Sequence, residues 1–243
     1  MRAKEIVPSK LVIFDIDDTL MHTSAKVNVI DPEGKLVKEL DSAEFAQFDN
    51  DPVIKQTMQD NGWQYDFGRF RSAQEFYDHS VPIWPIVHIL KQDLNAGNKV
   101  VMVTARADLD DKNTFIKTFK KAGIPMNKIH VYRAGNVNVK ASTSDKKAII
   151  ISGLMKSGNY KEVIMYDDNL DNLHSFKALH QQFPHTKFIA HQVDPHTGST
   201  NMHEAKKNYH FAGDRVGQKT GPAGQLKGKS RRAARAGDLV GGC

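Results

Sequence analysis

Three carboxylates, Asp15, Asp17 and Asp18, stand within four residues directly after the apolar run Leu11-Val12-Ile13-Phe14. Like charges packed so closely repel one another and lose solvation unless they share a cation. Hard oxygen donors in that arrangement suit Mg²⁺. A second apolar run, residues 163–166, also ends in carboxylates, Asp167 and Asp168. A third, residues 100–103, ends in Thr104, with Arg106 two positions on. A lysine pair, Lys146-Lys147, lies about one helix upstream of the second run. Chemistry, rather than folding, is the reason to put such residues at the ends of apolar segments.

Strands and helices have to bring these residues together. Residues 11–14, 100–103, 129–132, 163–166 and 188–191 read as short buried strands of the kind a parallel sheet uses. Residues 86–95, 109–122 and 145–154 carry apolar positions at helical spacing, with Gly97 and Gly123 as stops and Ser144 or Asp145 near a cap. Strands alternating with helices predict an α/β fold, a three-layer Rossmann-like parallel sheet. Ligands of such sheets bind just outside the carboxyl ends of the strands, where the polar residues named above fall. Residues 27–30 and 35–40, joined by Asp31-Pro32-Glu33-Gly34, read as a β-hairpin. Residues 42–81 read as less regular and rich in aromatics.

The ordered set resembles the haloacid dehalogenase superfamily of phosphohydrolases over residues 9–191. Its four motifs stand here as Asp15-Ile16-Asp17-Asp18-Thr19, Thr104, a lysine at 146 or 147, and Asp167-Asp168-Asn169-Leu170-Asp171. The resemblance implies that Asp15 attacks phosphorus and forms an aspartyl-phosphate. It implies that Asp17 protonates the leaving oxygen and then activates water. Mg²⁺ would be held by the Asp15 carboxylate, the Asp17 backbone carbonyl and Asp168, with Asp167 or Asn172 in the outer shell. Thr104 would hydrogen-bond a phosphoryl oxygen and the lysine would neutralise the developing charge. Helical spacing does not decide between Lys146 and Lys147; Lys146, earlier and nearer the first turn, is the one expected at the site. Thr19 is expected to shape the turn after the nucleophile on the substrate side. Arg106 is expected either to contact substrate or to pair with Asp108 or Asp110.

Within the superfamily, the double aspartate after Tyr166 and the triplet Thr104-Ala105-Arg106 are similar to phosphatase domains of the polynucleotide kinase 3′-phosphatase type. They also look like haloacid dehalogenase proteins encoded by T4-like phages. Asp18 departs from the pattern, standing where glycine is common. No Gly-x-x-x-x-Gly-Lys-Ser/Thr phosphate loop is present to mark a kinase domain. The resemblance implies a Mg²⁺-dependent phosphomonoesterase acting on nucleic-acid 3′-phosphate ends or nucleotides. Its rivals are a small-metabolite phosphatase and a nucleic-acid-binding protein on a catalytically retired fold.

Insertions select substrates in this superfamily. Residues 105–145 have room for one helix, one strand and a loop, so the insertion falls at residues 21–82, a small cover that leaves the site open. Within it, Trp63-Gln64-Tyr65-Asp66-Phe67-Gly68-Arg69-Phe70-Arg71 interleaves aromatics with arginines, which suits either base stacking or the core of the inserted subdomain.

A 40% hydrophobic and 26% charged composition over 243 residues is ordinary for a globular protein. No apolar run reaches membrane-spanning length, no signal-peptide pattern is present, and the one cysteine is Cys243. A cytoplasmic location with no membrane partner is expected. Of the net charge of +6, residues 213–243 carry +5, together with eight glycines and few large apolar side chains. Such a segment cannot offset its ordering entropy by burial. It reads as a flexible basic tail, able to attract nucleic-acid phosphates, after a phosphatase domain over residues 1–212.

Overall fold

The computed structural model describes residues 9–203; the basic segment 213–243 lies outside the described residues. Strand β1 (Lys10–Phe14) crosses the centre of the fold, and the chain then leaves through β2 (Met21–His22) into an inserted segment. That segment holds β3 (Val27–Ile30), β4 (Leu36–Leu40), α1 (Ser42–Asn50), α2 (Pro52–Asn61), β5 (Gln64–Asp66), α3 (Gly68–Arg71) and α4 (Ala73–His79), and returns through β6 (Val81–Pro82). The rest alternates: α5 (Trp84–Asn95), β7 (Lys99–Thr104), α6 (Lys112–Lys121), β8 (His130–Arg133), α7 (Thr143–Ser157), β9 (Glu162–Asp167), α8 (Leu170–Ala178), β10 (Lys187–Val193) and β11 (Thr200–His203).

The main sheet has the order β11-β10-β9-β1-β7-β8, parallel except for the edge strand β11. The chain moves outward from β1 to β7 and β8 on one side, then back to β9 and β10 on the other, so the topological switch point lies at β1 and β9. Strand alternation divides the apolar runs between two faces. Val12, Phe14, Val100, Met102, Ile164 and Tyr166 pack with Ile86, Val87 and Leu90 of α5 and Phe115 and Phe119 of α6. Leu11, Ile13, Val101, Val103, Val163 and Met165 pack with Ala148, Ile151 and Met155 of α7 and Leu173 and Phe176 of α8. This is the expected three-layer α/β arrangement. Each fully buried Phe, Leu, Ile or Val contributes about 1.5–3 kcal/mol. Both faces supply enough of them to tolerate a carboxylate cluster that disfavours folding.

The insert is a separate layer of structure with its own core. The antiparallel sheet β4-β3-β5 packs Val27, Val29 and Leu40 on Met58, Phe45, Trp63, Tyr65 and Phe70. The hairpin turns at Gly34, whose φ of 80° suits a residue without a side chain, while Asp31 Oδ1 accepts from the Glu33 and Lys35 amides. Strands β2 and β6 pair where the insert leaves and rejoins the main fold, Met21 opposite Pro82 and His22 opposite Val81. Residues 42–81, read as irregular from sequence, form four helices and a strand. Their apolar stripes are short and are punctuated by Asp41, Asp51 and Ser72, each a side-chain cap. Helix α6 starts at Lys112 rather than 109, because Asp111 caps it and Asp110 is drawn away to accept from the Ala73 amide.

No helix among the described residues is long and apolar enough to cross a membrane.

Candidate active site

Asp15 follows the last residue of β1, and its amide donates to the Tyr166 carbonyl at 2.9 Å, so the β1–β9 ladder runs up to Asp15. Phe14 stands opposite Tyr166, which puts Asp15 and Asp167 level at the switch point. Alternation turns both carboxylates towards the face covered by α7 and α8. From α7, Lys147 reaches between them, with Nζ 3.1 Å from Asp15 Oδ1 and 2.8 Å from Asp167 Oδ2. Lys147 is 1% exposed.

Lys146, expected from sequence, is therefore not the lysine at the site. It is half-buried one position back on α7, while the stripe through Lys147, Ala148, Ile151, Ser152 and Met155 is the one that faces the sheet. Residues 146, 150 and 154 are also apolar or amphipathic at helical spacing, so periodicity alone could not choose. The small residues Ala148 and Ser152, one turn apart, mark the line of close approach and were the available signal.

Asp167 has little freedom to do anything but position its neighbours. Its Oδ1 accepts from the Asn169 amide at 3.0 Å and Asn172 Nδ2 at 2.8 Å, and its Oδ2 accepts from Lys147. Asp168 is tied to Thr19, whose hydroxyl accepts from the Asp168 amide at 3.1 Å and donates to Asp168 Oδ1 at 3.2 Å. Thr19 is fully buried and both of these bonds go to Asp168, so its hydroxyl supports that residue. On the other side, Gln192 Nε2 donates to the Asp168 carbonyl at 3.2 Å.

Arg106 pairs with Asp17 and not with Asp108 or Asp110, the ion-pair partners expected from sequence. Its Nη2 lies 2.7 Å from Asp17 Oδ1 and its Nε 2.9 Å from Asp17 Oδ2. Nη1 donates to the Phe70 carbonyl of the insert at 2.7 Å. The guanidinium carbon sits 5.0 Å from the Phe70 ring and 4.5 Å from the Phe76 ring. Its amide donates to Thr104 Oγ1 at 3.2 Å, which leaves the buried Thr104 hydroxyl proton for another acceptor. Asp110 instead serves the Ala73 amide, and Asp108 lies near Arg133 at 3.5 Å. A fork that fits a carboxylate while stacking on rings cannot be reproduced by an ammonium. Arg106→Lys should cost about 1–3 kcal/mol, the penalty for the buried partners left unsatisfied; urea denaturation measures it.

The segment of residues 63–71 follows its core reading. Trp63, Tyr65 and Phe70 pack inside the insert, Phe45 meets Tyr65 edge-on at 5.1 Å, and Arg69 pairs with Glu75 at 2.6 Å. Asp18 has a φ of 56°, the left-handed conformation that favours glycine at this position and that aspartate tolerates better than most residues.

Neither a protein-family model nor a curated protein matches the chain. Among solved structures, one from Thermotoga maritima assigned as a beta-phosphoglucomutase aligns with a TM-score of 0.39 and 14% identity, covering 70% of this chain and 81% of that one. A likeness at that level bears on neither activity nor substrate.

Carboxylate oxygens of Asp15, Asp167 and Asp168 lie within 4.8 Å of one another. Among the described residues, these three acidic groups are met by the Lys147 ammonium, while Arg106 is committed to Asp17. Asp15 Oδ1 is buried with the Lys147 ammonium 3.1 Å away and no other donor among the described residues. A hard divalent cation fits this set, held by Asp15 and Asp168 with Asp167 behind them. Burial, reinforced by the charges of Asp167, Asp168 and Asp17, pushes the Asp15 carboxyl well above its ordinary value despite Lys147. Burial and the charge of Asp167 push Asp168 up to about 7. Burial works to lower the Lys147 pKa, but Asp15 and Asp167 more than reverse it and keep the ammonium charged.

These shifts fix a sign. A carboxyl that keeps its proton to higher pH in the fold than in the unfolded chain destabilises the fold as pH rises between the two values. For Asp168 that window runs from 3.8 to about 7. A divalent cation bound there would take the place of the proton, so any increase in Tm on adding Mg²⁺ should be larger at about pH 8 than at about pH 5. Asp168→Asn should abolish most of that increase. Thermal melts at the two pH values, with and without the ion, give the comparison.

Proposed function

We propose that this protein is a Mg²⁺-dependent phosphomonoesterase of haloacid dehalogenase type, working through a phosphorylated Asp15. The observation that supports it most is the wedge of Lys147 between Asp15 and Asp167 at the switch point of a parallel sheet, with Asp168, Thr104 and Asp17 on adjoining strand ends.

In the first step a carboxylate oxygen of Asp15 attacks phosphorus and the bond from phosphorus to the ester oxygen breaks. Asp17 gives that leaving oxygen its proton. In the second step water attacks the same phosphorus, Asp17 takes a proton from it, and the bond to Asp15 breaks to release inorganic phosphate. Asp17 has to leave the Arg106 pair to carry the proton of the first step, and Arg106 orients it again once it is ionised for the second. Lys147 and the Thr104 hydroxyl stabilise charge on the phosphoryl oxygens, the effect that dominates phosphoryl transfer. Asp15 and Asp168 would hold Mg²⁺, which when bound would supply Lewis-acid charge neutralisation.

The preferred substrate class is a nucleic-acid 3′-phosphate end or a nucleotide. The double aspartate Asp167-Asp168, the triplet Thr104-Ala105-Arg106 and the basic charge of residues 213–243 support that choice. Phosphate release should be compared on a 3′-phosphorylated oligonucleotide, a 5′-phosphorylated one, mononucleotides and an aryl phosphate. Fastest turnover on the 3′-phosphate or the mononucleotides is expected. A preference for the aryl phosphate would remove the nucleic-acid reading and keep the chemistry.

A further inference from the structure

An open groove of about 410 Å³ lies one step from the carboxylate cluster. It is lined by His22, Val81, Trp84, Pro85, Pro195 and His196, among others. The acidic residues themselves are outside it. His22 connects the groove to the loop that follows β1, because its Nδ1 lies 3.0 Å from Asp18 Oδ1. With Asp18 on Nδ1, Nε2 is the ring nitrogen turned away from that carboxylate. One side of the groove grows from site elements: β2 follows the loop that carries Asp17, an isolated bridge pairs Asp17 with Met21, and β2 pairs with β6.

The groove is preformed. Its far wall is the turn between β10 and β11, in which Asp194 Oδ1 accepts from the His196 and Thr197 amides at 2.8 and 3.3 Å. Gly198 in that turn is buried with a φ of 68°, and a Cβ there would come within 2.8 Å of Pro85 and 2.9 Å of Ile83. The two walls therefore touch, and only glycine allows it. The lining combines flat, rigid apolar surfaces with the polar tips of two histidines and of Thr197, whose hydroxyl is already bonded to Ser199. Trp84 is 48% exposed, with His88 at 6.3 Å and Lys91 at 5.9 Å as its ring neighbours. His22 and His196 face each other with ring centroids 6.2 Å apart.

We infer that this groove receives the nucleobase of the leaving group, and the inference rests on the phosphomonoesterase reading above. A nucleobase offers a π face to Trp84 and the proline rings, and edge donors and acceptors to the two imidazoles. An alkyl chain would leave both imidazoles unused, and a bare sugar would find few polar partners on these walls. Position agrees as well, since the groove begins beside the residue next to Asp17, the group that protonates the leaving oxygen.

Two measurements on the full-length protein test this. In the first, adenosine is titrated against tryptophan fluorescence. Saturable quenching by adenosine but not by ribose, lost in Trp84→Ala and weakened in His196→Ala, is expected. In the second, kinetics with adenosine 3′-monophosphate and glycerol phosphate are compared in the same variants, after melts confirm that each is folded. KM for the nucleotide should rise about tenfold in Trp84→Ala, with glycerol phosphate changed less than about twofold. Equal effects on both substrates, or no effect on either, would overturn the assignment while leaving the phosphatase reading in place. If wild-type protein turns over nothing, the phosphatase reading fails, and the adenosine titration alone then upholds or overturns the groove as a base site.

Discussion

Replacing Asp15 with asparagine is expected to reduce phosphate release by at least about 10⁴-fold, the scale of losing a nucleophile from a concerted set. The loss should appear in kcat, because the amide has the same shape and leaves the substrate contacts in place. It should not come from unfolding. Asp15 is a buried carboxyl held above its ordinary pKa by burial and by Asp167, Asp168 and Asp17. Its charge therefore works against the fold, and the neutral amide should leave the metal-free melting temperature equal or higher. Lys147 keeps Asp167 at 2.8 Å as a partner in that variant. Residual activity within about tenfold of wild type would mean that another group attacks phosphorus.

The second large effect separates two adjacent lysines. Lys147→Met should destabilise the protein by about 3–5 kcal/mol, because it leaves Asp15 and Asp167 as buried carboxylates with no cation between them. Lys146→Ala should change stability by less than about 0.5 kcal/mol, as expected for a position outside the buried stripe. Urea denaturation of the two variants provides the contrast, and phosphate release should fall with Lys147→Met alone. Mg²⁺ should recover part of the stability lost in Lys147→Met, since a second cation can share the same oxygens. Reversed sensitivities at the two positions would contradict the geometry at the sheet edge.

The features readable from sequence are those with a local cause. The apolar runs at residues 11–14, 100–103 and 163–166 are strands because only a sheet covered on both faces buries every residue of such a run. Their abrupt polar ends marked the strand termini at which Asp15, Thr104 and Asp167 stand. What could not be read depends on contacts between distant segments. The pairing of Arg106 with Asp17 joins residues 89 apart, and its third partner is a backbone carbonyl of the insert, a group with no sequence signature. Thr19 looked like a turn residue, yet it acts on Asp168 from the neighbouring strand end. Lys147 and Lys146 differ by 100° around one helix, and both have apolar residues one and two turns on, so the choice lies in how α7 is rolled against the sheet. The groove at Trp84 was invisible for a similar reason. Its histidines, His22 and His196, are separated along almost the whole described chain and meet only because β2 and the turn after β10 lie side by side.

The central claim is that Asp15 carries the phosphoryl group during turnover. Quenching the reaction on its fastest substrate with borohydride would reduce an aspartyl-phosphate to homoserine, and peptide mass spectrometry would locate it. Homoserine at position 15, dependent on substrate and Mg²⁺ and absent from Asp15→Asn, is the expected result. Turnover with no modification at position 15, or with modification at Asp17, Asp167 or Asp168 instead, would contradict it.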